Sequence, residues 1–154
     1  MLIIEDMKVL VSAYRFIERN CDLIDEFVYR HAVNFGPSPE YCSTYDVTNN
    51  IIDLMERKNR LINFKLMIDE LVNSLCVDER KMIIAKMRYN LSMVSACKVL
   101  QLPSLRTAFR RMKSALENLT VLANKSKYQK RLSFMLNNEE WLTNLKERVV
   151  ESAC

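Results

Sequence analysis

The side chains best suited to chemistry lie between Ser104 and Ser114, in the run SLRTAFRRMKS. Arg106, Arg110 and Arg111 supply planar forks of donors that match the O6/N7 edge of guanine, and one bidentate contact of that kind discriminates by about 1–3 kcal/mol. At about 100° per residue, a helix through this run turns Thr107, Arg110, Arg111 and Ser114 to one side, with Arg106 and Lys113 at its borders. Leu105, Phe109, Met112, Leu116 and Leu119 recur at steps of four, three, four and three and fall on the other side. A helix anchored by an apolar stripe and offering arginine outward suits a DNA major groove. The expected DNA-reading residues are therefore Ser104, Arg106, Thr107, Arg110, Arg111, Lys113 and Ser114.

Charge concentrates around the same helix. From Lys98 to Arg131 there are nine basic residues against one acid, Glu117, while the whole chain carries only +4, so the remainder is net acidic. A charge run is often just a solvated face, but here it coincides with the arginine-bearing helix and marks a footprint for a polyanion. Lys125, Lys127, Lys130 and Arg131, with Arg88 and Lys98, are expected to neutralise phosphates, which gives affinity without sequence information.

Other chemistries find little purchase. His31 is the single histidine and falls on an apolar stripe, as a packed side chain would. Gly36 is the single glycine, so there is no phosphate-cradling loop. Asp25-Glu26 and Asp69-Glu70 are neighbours in sequence and point about 100° apart on a helix, and nothing assembles a nucleophile with a base. No enzyme activity and no cofactor is expected. The five cysteines (Cys21, Cys42, Cys76, Cys97, Cys154) form no CxxC pair and no Cys/His cluster, so they read as reduced, packed thiols rather than metal ligands or disulfides. No apolar run reaches the roughly 20 residues that span a bilayer, and MLIIEDMKVL carries acids and no basic leader. A cytoplasmic protein without membrane contact is expected.

These residues must be positioned by helices. The 154 residues are 49% hydrophobic and include one Gly and three Pro, which favours an all-α fold with short connections. Ile3, Met7, Leu10, Tyr14, Ile17, Cys21, Ile24, Val28, His31 and Phe35 alternate steps of four and three, predicting a helix over about 3–35. That stripe fits a coiled-coil seam through which two copies pair, or an amphipathic helix packed on its own chain. Gly36-Pro37-Ser38-Pro39 stops it, and a loop runs through Asp46. A second helix over about 47–75 follows, its stripe (Val47, Ile51, Leu54, Leu61, Ile68, Leu71, Leu75) interrupted by Lys58 and Lys65, and the two fold back as a hairpin. Asp78 is expected to cap a helix reaching about Tyr89, and Ser92 or a neighbour one through about Leu100. Ser104, after Pro103, caps the arginine-bearing helix, which continues to about Ala123 or beyond. Asn137-Asn138-Glu139-Glu140 announces a C-terminal helix with Trp141, Leu142, Leu145 and Val149 on its apolar face.

From Val77 to Leu119 the order of residues resembles region 4 of sigma-70-type factors. Asp78-Glu79-Arg80…Ile84…Met87-Arg88-Tyr89 matches its first helix, Leu91-Ser92…Cys97…Leu100 the second, and Thr107…Phe109-Arg110-Arg111…Lys113…Ala115-Leu116…Leu119 the recognition helix. With the helical part and Pro/Ser-containing segment before it, the layout is similar to phage late-gene transcription regulators of the ArpU/RinA kind. The resemblance implies a helix-turn-helix whose last helix enters the major groove, and RNA polymerase as a further partner. The chain departs from the pattern at Gln101, where the family has Gly, at Ala96, where it has Ile, and by one extra residue between Leu102 and Thr107.

The sequence thus predicts a hairpin over 1–75 for dimerisation or partner binding, a DNA-binding helix-turn-helix over 76–124, and a basic segment with a C-terminal helix over 125–154. Sequence-specific regulation of transcription is the expected role. The alternative is a helical adaptor that grips a protein such as RNA polymerase without touching DNA.

Overall fold

The computed structural model describes residues 1–33 and 44–151, and among these the side chains of all but 44 and 148–151. Among the described residues the protein is all-α: α1 (Ile4–Val33), α2 (Thr44–Asn73), α3 (Val77–Met87), α4 (Met93–Val99), α5 (Leu105–Lys125), α6 (Gln129–Asn138) and α7 (Glu140–Glu151). Phe35, Gly36, the Pro37-Ser38-Pro39 stop, Cys42 and Cys154 lie outside the described residues, as does the side chain of Val149. No described helix is long and apolar enough to cross a membrane. Contacts divide the chain into two compact units, Phe16–Lys65, and Met1–Arg15 with Leu66–Cys154. The division falls inside α1 and α2.

In the unit Phe16–Lys65 the two long helices run antiparallel. Glu18 pairs with Lys65, and Asp25 with Lys58 at 2.5 Å, so seven residues forward on α1 correspond to seven back on α2. The two lysines that break the apolar stripe of α2 are thus its links to α1. Ile17, Ile24, Leu61 and Phe64 are buried alongside them and supply most of the stability, since exposed ion pairs contribute at most about 1 kcal/mol each. His31 is half-buried, with its Nδ1 2.8 Å from the Phe27 carbonyl oxygen and its ring 3.8 Å from the Phe27 ring. It is occupied one turn back along its own helix.

In the other unit Met7, Leu10 and Tyr14 of α1 and Ile68, Leu71 and Leu75 of α2 are buried, so these stripes are covered within one chain. The Tyr14 hydroxyl donates to Asp69 Oδ1 at 2.8 Å. The start of the chain is fastened to α5 by a reciprocal pair at 2.9 Å, in which Leu2 N–H donates to Asn124 Oδ1 and Asn124 Nδ2 donates to the Leu2 carbonyl. Asp6, nearly buried, accepts from Ile3 N–H at 3.0 Å and pairs with Lys146 of α7 at 2.8 Å. Arg80 Nη2 donates to the carbonyls of Asn73 and Leu75 (2.7 and 3.0 Å), satisfying acceptors that the end of α2 leaves open.

Three local expectations are corrected. α2 starts at Thr44, so the loop does not extend through Asp46. α3 starts at Val77 with Cys76 at the cap position, which places Asp78 and Glu79 in its first turn, favourable against the helix dipole but not capping. Asn137 and Asn138 finish α6 instead of capping α7, whose Leu142 and Thr143 N–H groups bond the Glu139 carbonyl at 3.0 and 3.1 Å. α6 itself was hidden by its basic start, although Leu132, Met135 and Leu136 are buried at helical spacing.

Candidate nucleic-acid interface

α3, α4 and α5 meet around three alanines and one methionine. Met82 and Ala85 of α3, Ala96 of α4 and Ala108 of α5 form a buried cluster, with Leu91, Met93, Cys97, Leu100, Leu102 and Met112 packed around it. Alanine has nothing beyond Cβ, so backbones can approach closely where Ala85, Ala96 and Ala108 meet. Ala96, short for its place in the sigma-like pattern, is fully buried there.

The turns into and out of α4 fix where α5 starts. Ser92 caps α4 by accepting from Ser95 N–H at 3.1 Å. At the other end, Leu102 N–H bonds the Cys97 carbonyl (2.9 Å) and Gln101 N–H bonds the Lys98 carbonyl (3.1 Å), the paired bonds of a Schellman ending. That ending places one residue in the left-handed region, and Gln101 occupies it with φ 52°. Asn90 does the same before α4, at φ 48°. Ser104 then caps α5, its Oγ accepting from Thr107 N–H at 3.2 Å and lying 3.0 Å from Thr107 Oγ1.

The dry side of α5 keeps Met112, Leu116 and Leu119 of the expected stripe but not its first two members, Leu105 and Phe109. Ala108, Ala115, Leu116, Leu119, Thr120 and Ala123 are buried and Met112 is half-buried, whereas Leu105 is 41% and Phe109 55% exposed. The helix has turned its alanines inward, where the close crossings need them, and the larger Leu105 and Phe109 outward. Alanine recurring at 108, 115 and 123 was the available signal.

This rotation sorts the expected DNA-reading residues into two groups that overlap at Thr107 and Arg110, which also line the depression formed by Cys76, Asp78, Glu79, Arg111 and Ser114. Ser104, Arg106, Thr107, Arg110 and Lys113 line one shallow groove together with Phe109. Arg111 and Ser114 turn toward the start of α3. Arg111 Nη2 is 3.5 Å from Asp78 Oδ2, and the Ser114 hydroxyl and Asn118 Nδ2 both donate to Glu79 Oε1 at 2.7 Å. Burial pushes the Glu79 carboxyl up, but hydrogen bonds from Ser114, Cys76 and Asn118 outweigh it, and the group ends below the usual carboxylate range. Two carboxylates make that side unwelcoming to phosphate. On the groove side, Lys113 has Glu117 at 3.9 Å, and Arg106 and Arg110 have no acidic partner among the described residues. α5, like α4 and α6, carries no acid in its first turn, and it has Arg106 two residues past its cap, adding positive charge to the positive end of the helix.

The expected phosphate-binding residues are dispersed. Lys98, Lys125, Lys130 and Arg131 are exposed. Lys127 is 3.8 Å from Glu70, which also accepts from the Tyr128 hydroxyl, and its ammonium stands 4.9 Å from the Tyr128 ring centroid. Arg88 is exposed, with Tyr14 as its hydrogen-bond partner. Compared with protein-family models, curated proteins and solved structures, the chain matches none of them. Cys21, Cys76 and Cys97 carry free thiols, and the described residues hold no group of three potential metal ligands.

Proposed function

We propose that this protein is a sequence-specific regulator of transcription that binds duplex DNA with the N-terminal half of α5 in the major groove. The observation that carries the reading is the face formed by Arg106, Phe109, Arg110 and Lys113. It is exposed, follows a firmly capped helix start, and includes two arginines without an acidic partner among the described residues. Unpartnered guanidinium groups repel one another and are stabilised by bringing in a polyanion. Arg106 and Arg110 would read base edges, and Lys113, with exposed Lys98, Lys125, Lys130 and Arg131, would serve phosphates. The resemblance to sigma region 4, and to phage late-gene regulators, supports the same docking. Cytoplasmic location accords with this role.

The competing reading is an adaptor that grips a protein such as RNA polymerase without DNA, and exposed Val94 and Val99 on α4 favour it. Self-association through residues 3–35 has less support, because most of that stripe is buried within the chain. The test is fluorescence anisotropy on random duplex DNA with added salt, for wild type and an Arg106→Ala/Arg110→Ala variant. Binding by wild type should weaken with a slope of log K against log[salt] of about −0.9 per phosphate neutralised, and the variant should bind at least about tenfold more weakly. Absence of wild-type binding at low salt rejects the DNA reading in favour of the adaptor.

A further inference from the structure

Phe109 has no place in the core and none in the charge pattern. It is 55% exposed, at the centre of a face whose other members are Arg106, Arg110 and Lys113, at i−3, i+1 and i+4. Leu105, one turn earlier, is also exposed at 41%. The two form a short apolar edge beside the arginines, on a helix start held by the Ser104 cap and the Gln101 turn. A single exposed apolar residue is ordinary. An aromatic ring fixed among cations with a second apolar side chain one turn away calls for a ligand that is itself part anion and part hydrocarbon.

The major groove presents such a surface. Beside its phosphates and base-edge acceptors it exposes one prominent apolar group, the methyl at C5 of a pyrimidine. We infer that Phe109, backed by Leu105, reads a pyrimidine 5-methyl group in duplex DNA while Arg106 and Arg110 engage polar edges nearby. This rests on the proposed DNA-binding function and adds a specificity-determining contact to it. The methyl can belong to thymine or to 5-methylcytosine, which share the chemistry. The ring supplies apolar contact and no charge, so its loss should alter sequence preference while leaving the electrostatic part of binding intact.

The experiment selects duplexes from a random 20-base-pair pool with the wild-type protein. It then measures the enriched duplexes in three forms: unmodified, with uracil for thymine, and with 5-methylcytosine for cytosine. Wild type, Phe109→Ala and Phe109→Leu are compared, with thermal melting to show that each is folded. For wild type, removing a contacted thymine methyl should weaken binding about fourfold, from about 0.8 kcal/mol for one buried methyl at about 1.4 kcal/mol per tenfold. Phe109→Ala should bind the unmodified duplex more weakly, lose the discrimination between methylated and unmethylated forms, and keep the wild-type salt slope. Phe109→Leu should retain part of the discrimination. A tightening on 5-methylcytosine that depends on Phe109 would name that base as the source; a loss on uracil that depends on Phe109 would name thymine. Methyl discrimination unchanged in Phe109→Ala overturns the inference and leaves the DNA reading standing. So does a wild-type protein that binds DNA but enriches no sequence or ignores both modifications. A wild-type protein that binds no duplex overturns the DNA reading, and this inference with it.

Discussion

Arg111 Nη2 lies 3.5 Å from Asp78 Oδ2, whereas Arg110, its neighbour in sequence, opens onto the groove it shares with Arg106 and Phe109. Two adjacent arginines on one helix point about 100° apart, and here, although Arg110 also borders the depression that holds Asp78 and Glu79, only Arg111 is paired with an acid. The ion pair is partly exposed, so its contribution to stability is below about 1 kcal/mol.

Arg111→Ala is therefore expected to lower stability slightly and leave DNA affinity within about threefold of wild type, while Arg110→Ala leaves stability unchanged and weakens DNA binding at least about fivefold. Thermal melts and salt-titrated anisotropy on the same pair of variants check both halves. Equal losses of affinity in the two would mean that α5 meets DNA with the side facing Asp78.

At Gln101 the backbone is held at φ 52° by two hydrogen bonds that close α4. A residue with Cβ loses about 1–2 kcal/mol there, and glycine returns part of that gain through its freer unfolded chain. Gln101→Gly should stabilise the protein by about 0.5 kcal/mol, a rise in Tm of about 1–2 °C, and Gln101→Val should destabilise it by more than 1 kcal/mol. Calorimetry on the three proteins decides the matter. A lower Tm for Gln101→Gly would show that the left-handed turn is absent.

The long helices were legible because their periodicity extends over many turns, and the caps at Ser92 and Ser104 because a hydroxyl before a helix has few other local uses. The orientation of α5 was legible in its second half, where Leu116 and Leu119 are buried, but not in its first. Summed hydrophobicity favours Leu105 and Phe109 as core, but a close three-helix crossing selects for small size, and Ala85, Ala96 and Ala108 win it. The roles of Lys58, Lys65, Arg111 and Ser114 were hidden for a different reason. Each is defined by an acid 33 to 47 residues away in the chain, a pairing that periodicity within one helix does not encode.

Tyr14 offers a test of the packing of α1 on α2 within its unit. Burial, then the Asp69 carboxylate, pushes the phenol up to about 12, above its ordinary value of about 10. A raised folded pKa means that the associated stability is fully present below pH of about 10 and disappears as the pH rises toward 12. Tyr14→Phe should cost about 1–2 kcal/mol at neutral pH, with the difference from wild type constant up to about pH 10 and closing above it. Urea melts from pH 7 to 12 measure this, and a gap that widens with alkali would contradict the Tyr14–Asp69 bond.

Glu79 has the opposite sign and lies closer to the candidate interface. Its carboxylate accepts from Ser114 and Asn118 and so joins the start of α3 to the middle of α5. Its pKa is lowered in the folded protein, so the stability it supplies is complete above the unfolded value of about 4.3 and is lost as the pH falls through the lower folded value. Glu79→Gln keeps the shape and one acceptor but removes the charge. The variant should melt below wild type at pH 7, corresponding to about 1 kcal/mol, and the two should converge as acid protonates the wild-type group. Binding should respond in the other direction, because removing a carboxylate beside the basic helix eases the approach of phosphate. A modest gain in DNA affinity at low salt, fading as salt is added, is expected from the same variant. Reduced stability together with stronger, salt-sensitive DNA binding would separate the two roles of this one carboxylate. A variant that loses both would mean that Glu79 holds α5 in its binding orientation, and that its charge is secondary.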